Sequence, residues 1–233
     1  MNAQRCIIFL GPSLTRKDAR QILDAEFRAP AAQGDIFRAC AEKPAAIGLI
    51  DGVFKDTPTV RHREILWAMS QGIPVFGASS MGALRAAELS GCGMIGVGLI
   101  YRWYRRFALL PDDAVAVTHG PAALGSPPLS DALVDIRQSL SAARRQGLLT
   151  PQAARDHLAK ITAQPFGARH VPQAAQPARV SQKAADARAL LGQMARHARA
   201  NDWPSPKTPP PPIIHAWLDD LRDSDLQLEE NGQ

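Results

Sequence analysis

Hydrophobic positions in this chain follow two rhythms. Solid apolar runs, Cys6–Leu10 and Ala46–Ile50, alternate with segments whose apolar residues recur every three or four positions. A short solid run stopped by turn residues is what a strand buried on both faces requires. Gly11-Pro12-Ser13 stops the first run and Asp51-Gly52 the second, and Ile73–Phe76 makes a third. Ala114–Val117, followed by His119-Gly120-Pro121, reads as a fourth.

Helical spacing fills the gaps. Thr15 is placed to cap a helix running through Ala19, Ile22 and Leu23 toward Phe27. Ile36–Ala39 after Gly34-Asp35 is a short second helix. Val60–Ser70 is amphipathic through Ile65, Leu66 and Met69, with Gly72 as its stop, and Met81–Leu89 is the next helix. Strand–helix alternation with short turns predicts an α/β fold, a parallel doubly wound sheet of four to five strands over residues 1–125.

The rest of the chain is expected to be a helical C-terminal extension, residues 126–200. Leu129, Leu133, Ile136 and Leu140 keep a 3.6 period up to Gly147, and Thr150-Pro151 opens another helix. Residues 164–179, rich in Ala, Gln and Pro, read as a linker before an amphipathic helix over Val180–Ala200. Six prolines between Asp202 and Pro212 demand an extended spacer. Ile213, Ile214, Trp217, Leu218 and Leu221 then suit one short helix before an acidic end, so residues 201–233 form spacer, helix and tail.

Composition narrows the class. Of 233 residues, 45% are hydrophobic and 21% charged, which excludes wholesale disorder. No apolar run nears the roughly 20 residues of a membrane span, and five apolar residues after Met1–Arg5 are too few for a signal peptide. A soluble cytoplasmic protein without membrane contact is expected. Cys6, Cys40 and Cys92 are scattered, which argues against a disulfide framework and a thiolate zinc site. From Ile213 onward six acids face one base, whereas residues 1–212 carry 26 bases and 16 acids. That basic body suits an acidic partner or shielding by its own tail. Two tyrosines and dispersed arginines argue against nucleic acid.

In an open parallel sheet, ligands bind beyond the carboxyl ends of the strands. Those ends carry Gly11 and Ser13, Asp51, Ser79-Ser80-Met81-Gly82 and His119. Small residues two before and two after Ser80, Ala78 and Gly82, resemble a nucleophile elbow. The helix beginning at Met81 would aim free N–H groups at an oxyanion. Simple capping of that helix by Ser79 or Ser80 is the competing account. A nucleophile needs a base, and His62 and His119 are the candidates, with Asp51 to orient either one. Arg85 and Glu88, three apart on the helix, form either a surface pair or an anion-holding arginine with its orienting carboxylate. His62-Arg63-Glu64 does not place metal ligands on one helix face, no metal site is expected, and no phosphate-binding glycine motif is present.

Several of these segments together carry a resemblance. Phe9–Leu14, Gly34-Asp35-Ile36, Ile50–Phe54, His62–Ala68 and Gly77–Leu89 resemble the TfuA family in that order. Gly93–Gly98, Asp112-Asp113 and Val115–Pro121 continue the likeness, so that it spans residues 8 to 140. Family members tend to be more acidic where this chain has Leu109-Leu110-Pro111, which weakens a metal role for Asp112 and Asp113. The resemblance implies an accessory role beside a YcaO enzyme in ATP-dependent thioamidation of a ribosomally made peptide, with no cofactor of its own. It further implies help in supplying sulfur, and since thioamidation needs sulfide, a sulfur-carrier protein bearing a C-terminal thiocarboxylate is an expected partner. Joined to the residues, the expected chemistry is serine hydrolase-like release of sulfide. Ser80 would be the nucleophile, His62 or His119 the base and Asp51 its orienter. Gly11, Ser13, Ser79, Met81, Gly82, Arg85 and Glu88 would bind substrate. A non-catalytic adaptor for YcaO or the precursor peptide is the alternative.

Overall fold

The computed structural model describes residues 5–53, 58–107, 111–118, 120 and 128–212. Five strands form one parallel sheet: β1 (Ile7–Phe9), β2 (Glu26–Arg28), β3 (Ile47–Leu49), β4 (Val75–Ala78) and β5 (Ile95–Val97). Their spatial order is β2-β1-β3-β4-β5. Ile8 stands opposite Phe27 on one side and Gly48 on the other, which fixes the register. Both faces of β1, β3 and β4 are covered, and this explains why their sequences carry no polar alternation.

Helices α1 (Arg16–Arg20), α2 (Asp35–Ala41), α3 (His62–Ser70), α4 (Met81–Glu88) and α5 (Gly98–Arg106) follow the strands in turn. One face of the sheet packs Ile7, Phe9, Ile47, Leu49 and Val75 against Ile36, Ile65, Met69 and Ala86 of α2, α3 and α4. On the other face Ile8, Leu10, Phe76 and Ala78 meet Leu14, Ala19 and the late helix α8 (Gln182–Ala200). Ala187, Leu190, Leu191 and Met194 of α8 are all fully buried there. A helix from the C-terminal third thus completes the sandwich. Asp186 of α8 also accepts the N–H groups of Leu99 and Ile100, pinning the start of α5. Burial pushes the Asp186 carboxyl up, while those two bonds and Gln182 oppose the shift.

Beside this sandwich, α6 (Leu133–Arg145), α7 (Pro151–Thr162) and the segment after them close a third cluster with Ile100, Ala114 and Val115. Thr150 caps α7 through Ala153 N–H with proline in its first turn, as the sequence predicts.

Four expectations need correction. Phe27 belongs to β2 and not to the first helix, which ends at Arg20. Glu26-Phe27-Arg28 alternates, as an edge strand should, and Glu26 and Arg28 pair outside. Ala114–Val117 is no strand: Asp112–Val115 form a 3-10 turn whose Ala114 and Val115 face the third cluster. The last strand is instead β5, whose half-covered residues Ile95–Val97 lack a solid apolar signal. Leu129 lies outside α6 and is 53% exposed. Residues 164–179 are not an open linker either. They contain two 3-10 turns, with Val171, Ala175 and Ala178 buried. Asp202–Pro212 is extended without helix or strand. His119 and the tail beyond Pro212 lie outside the described residues.

Candidate functional site

The chain passes from β1 outward to β2 and returns across β1 to β3, so the connections change direction between β1 and β3. Beyond the carboxyl ends of two strands at such a switch point, no helix fills the crevice, and ligands bind there. Asp51 occupies this position and is buried. Its Oδ2 accepts the N–H of Gly11 at 2.8 Å and that of Ser13 at 3.1 Å. Ser13 Oγ donates to Asp51 Oδ1 at 2.6 Å, and Ser79 Oγ donates to Ser13 Oγ at 2.8 Å. The direction of both bonds follows from Asp51: a carboxylate only accepts, so Ser13 donates to it and has a lone pair left for Ser79. One chain of hydrogen bonds therefore ties the turns after β1, β3 and β4.

The turn after β4 is tight. Ser79 has φ +69°, a conformation costly for an L-residue, and is completely buried. Ser80 follows at the head of α4, and its N–H and that of Gly82 both point at Ile50 carbonyl oxygen at 3.3 Å. A Cβ on Gly82 would sit 1.8 Å from Leu49 carbonyl oxygen, so only glycine lets α4 start this close to β3. Met81, the first residue of α4, has no intrahelical acceptor for its N–H. Ser80 stands at the capping position, yet its hydroxyl makes no capping bond and retains 9% exposure. Simple capping does not describe this serine.

The residue carrying the strain is thus Ser79, one position before the centre that spacing suggests. Gly77-Ala78-Ser79 offers the same small-residue lead as Ala78-Ser79-Ser80, so the sequence contains two frames and cannot separate them.

His62 stands elsewhere. Its Nε2 lies 2.7 Å from Glu88 Oε2, near the last turn of α4. Eight residues at about 1.5 Å rise put Glu88 roughly 12 Å along the helix from Ser80. Arg85 donates from Nη1 to the same Glu88 oxygen at 2.8 Å and from Nε to Val60 carbonyl at 3.0 Å. Burial pushes the Glu88 carboxyl up, but the bonds from His62 and Arg85 outweigh it and hold it below its ordinary value. Arg85 and Glu88 pair as their spacing predicts, although Arg85 is buried and not a surface residue. The structure therefore brings Gly11, Ser13, Asp51, Ser79, Ser80, Met81 and Gly82 to one edge and gathers His62, Arg85 and Glu88 into another cluster.

Sequence reasoning passes over Glu64. It is buried and accepts Arg61 N–H at 2.7 Å and Ile36 N–H at 3.2 Å, joining α3 to the head of α2. Burial raises its carboxyl to about 7 against the opposing pull of these backbone donors. Glu64 supplies only the returning half of a capping box, and with Arg61, which has no acceptor, in the capping position the Ser/Thr-x-x-Glu signal that would have found it is missing.

Among the described residues, no group of His, Cys, Asp and Glu is arranged to hold a metal, and no helix is long and apolar enough to cross a membrane. No curated protein matches the chain. A family model described as TfuA-like protein matches residues 51–170, just over half of the 233. The match begins at Asp51 and takes in Ser79, Ser80 and the whole Arg85–Glu88–His62 cluster. The chain belongs to the TfuA-like family, whose setting is that of accessory proteins to YcaO-dependent thioamidation.

Proposed function

We propose that this protein releases sulfide from the C-terminal thiocarboxylate of a sulfur-carrier protein, for use by a YcaO enzyme on a ribosomally made peptide. One observation carries the reading: Ser80 presents a hydroxyl without a capping bond at the head of α4, on the switch-point edge. Ser80 Oγ attacks the thiocarboxylate carbon, the C–S bond breaks, and the serine proton leaves with sulfur as hydrosulfide. Water then cleaves the acyl ester, giving the carrier carboxylate and restoring Ser80. Met81 N–H and the positive end of α4 stabilise the oxygen that gains charge. Ser79 is a positioning residue, fixed through Ser13 and Asp51, and holds the turn in its strained form. His62 is committed to Glu88, which leaves His119, outside the described residues, as the candidate base in this reading.

The test is sulfide release by the purified protein given a thiocarboxylated carrier alone. Ser80→Ala should lower the rate by orders of magnitude while leaving melting close to wild type, since its hydroxyl makes no capping bond to α4. Unchanged release in Ser80→Ala ends the hydrolase reading.

The adaptor reading has its own support. Among the described residues, Gly11 and Ser13 take up the Asp51 carboxylate, so the described edge presents no carboxylate free to act as a base. An adaptor would stimulate thioamidation equally well as Ser80→Ala, with free sulfide supplied.

A further inference from the structure

Helix α5 carries Tyr101-Arg102-Trp103-Tyr104-Arg105-Arg106 and is followed by Phe107. Here the arginines are not dispersed, contrary to what composition suggests. Tyr101, Arg102, Arg105 and Arg106 line a shallow groove of about 280 Å³. Tyr101 is held against β5, where a Cβ on Gly96 would come within 2.1 Å of its ring. Arg105 donates to Tyr101 hydroxyl at 3.2 Å, Arg102 to Gly98 carbonyl at 3.2 Å, and Arg106 sits 5.8 Å from the Phe107 ring centre. All three arginines are exposed, and among the described residues none forms an ion pair. Phe107 beside them is 53% exposed. Three guanidinium groups around exposed aromatic surface form a face for an acidic, partly apolar segment.

This chain has such a segment, and its spacer leads it past the end of α4, a neighbour of α5. Trp203 stacks on His197 and meets Phe76 on the α8 side of the sheet. Thr208 then donates to Cys92 carbonyl just beyond α4, and Arg63 of α3 donates to Pro212 carbonyl at 2.9 Å. The polypeptide has thereby crossed from the α8 face to the side of α3 and α4. There His62, next to Arg63, holds Glu88, and α4 in turn packs against α5, which lies between α4 and α8. Asp219 follows Pro212 by seven residues, a reach of up to roughly 23 Å at 3.3 Å each. Beyond Pro212 stand Ile213, Ile214, Trp217 and Leu218, then Asp219, Asp220, Asp223, Asp225, Glu229 and Glu230 against the single base Arg222.

We propose that residues 213–233 dock in cis on the arginine face of α5. The acids meet Arg102, Arg105 and Arg106, and the apolar residues cover Phe107 and the neighbouring rings. The face is then occupied in the resting chain, and a competing acidic partner must displace the tail to use it.

The test is labelling of the intact protein with an arginine-specific dicarbonyl reagent, read by peptide mapping. Wild type is compared with a full-length variant combining Asp219→Asn, Asp220→Asn, Asp223→Asn and Asp225→Asn. Exposed Arg20 on α1 serves as the internal control. Arg102, Arg105 and Arg106 should label several-fold more slowly in wild type than in the variant, with Arg20 unchanged. Molar salt, which shortens screening to about 3 Å, should abolish the difference. Equal rates in the two proteins overturn the proposal, whether the face is open to another partner such as nucleic acid or covered by something other than these acids.

Discussion

Ser79 Oγ donates to Ser13 Oγ at 2.8 Å across 66 residues of sequence, and it does so from a backbone conformation with φ +69°. The bond holds the strain in place. It joins the turn after β4 to the turn after β1, and Ser13 in turn is anchored on Asp51 of β3's turn. Three strands must be in register before any of these atoms meet, so the geometry of the edge depends on the whole sheet.

That strain has a measurable signature. At an ordinary position glycine is less stabilising than alanine by about 0.5–1 kcal/mol. At Ser79 the order should invert, because alanine keeps the left-handed penalty of about 1–2 kcal/mol and glycine does not. Both changes lose the hydrogen bond to Ser13 equally. Denaturant unfolding should therefore find Ser79→Gly more stable than Ser79→Ala by roughly 1 kcal/mol. The usual order would show that the turn is relaxed.

Gly82 gives an opposing pair of expectations. Helix propensity alone has Gly82→Ala stabilising α4 by about 1 kcal/mol. The added Cβ would meet Leu49 carbonyl oxygen, a backbone atom of β3 that cannot step aside. Gly82→Ala should thus destabilise by about 3 kcal/mol or more, as overpacking against rigid neighbours does. A rise in melting temperature would contradict the close approach of α4 to β3.

The solid runs Cys6–Leu10 and Ala46–Ile50 were readable as strands because both faces of β1 and β3 are covered, leaving no polar position to blur the signal. Ile95-Gly96-Val97 has the same role at the edge, but half-coverage and a central glycine leave nothing for a pattern to detect. Ala114–Val117 misled for the converse reason. Its apolar residues are buried against α6 and not in a ladder, and composition does not distinguish those fates. The convergence of Ser13, Asp51 and Ser79 was legible from strand ends alone. What no local pattern carries is the partner of His62, since that depends on how α3 lies against α4.

Glu64 sets a pH dependence. Its carboxyl titrates near 7 in the fold against an ordinary value of 4.5, because burial disfavours the charge. Between those values the folded state binds more protons than the unfolded one, so stability from this group falls as pH rises. The loss starts near pH 4.5, is complete above pH 7, and amounts to about 3 kcal/mol. Glu64→Gln carries no such titration. The stability of wild type minus that of Glu64→Gln should therefore decline by this order between pH 4.5 and 8. A difference that is flat with pH would show that the backbone donors from Arg61 and Ile36 fully offset the burial.

The last expectation separates two roles for the cluster at the end of α4. Arg85 uses Nε on Val60 carbonyl and Nη1 on Glu88, two directions that a planar guanidinium spans and a single ammonium does not. Arg85 is 8% exposed, so whichever acceptor lysine abandons loses its partner inside the protein. Arg85→Lys should then cost about 2 kcal/mol of stability. His62 is nearly half exposed, and His62→Gln should cost about 0–1 kcal/mol, the range for pairs open to solvent. If both residues only brace α3 against α4, sulfide release per folded molecule should stay near wild type in each variant. Normal melting with a clear fall in release for Arg85→Lys would instead make Arg85 the holder of a substrate carboxylate. A fall of several hundred-fold for His62→Gln, with melting unchanged, would return the base to His62. That outcome would require α4 to shift by the roughly 12 Å that now separates Glu88 from Ser80 along its axis, and the buried Met81, Ala83, Leu84 and Ala86 hold α4 against such a shift.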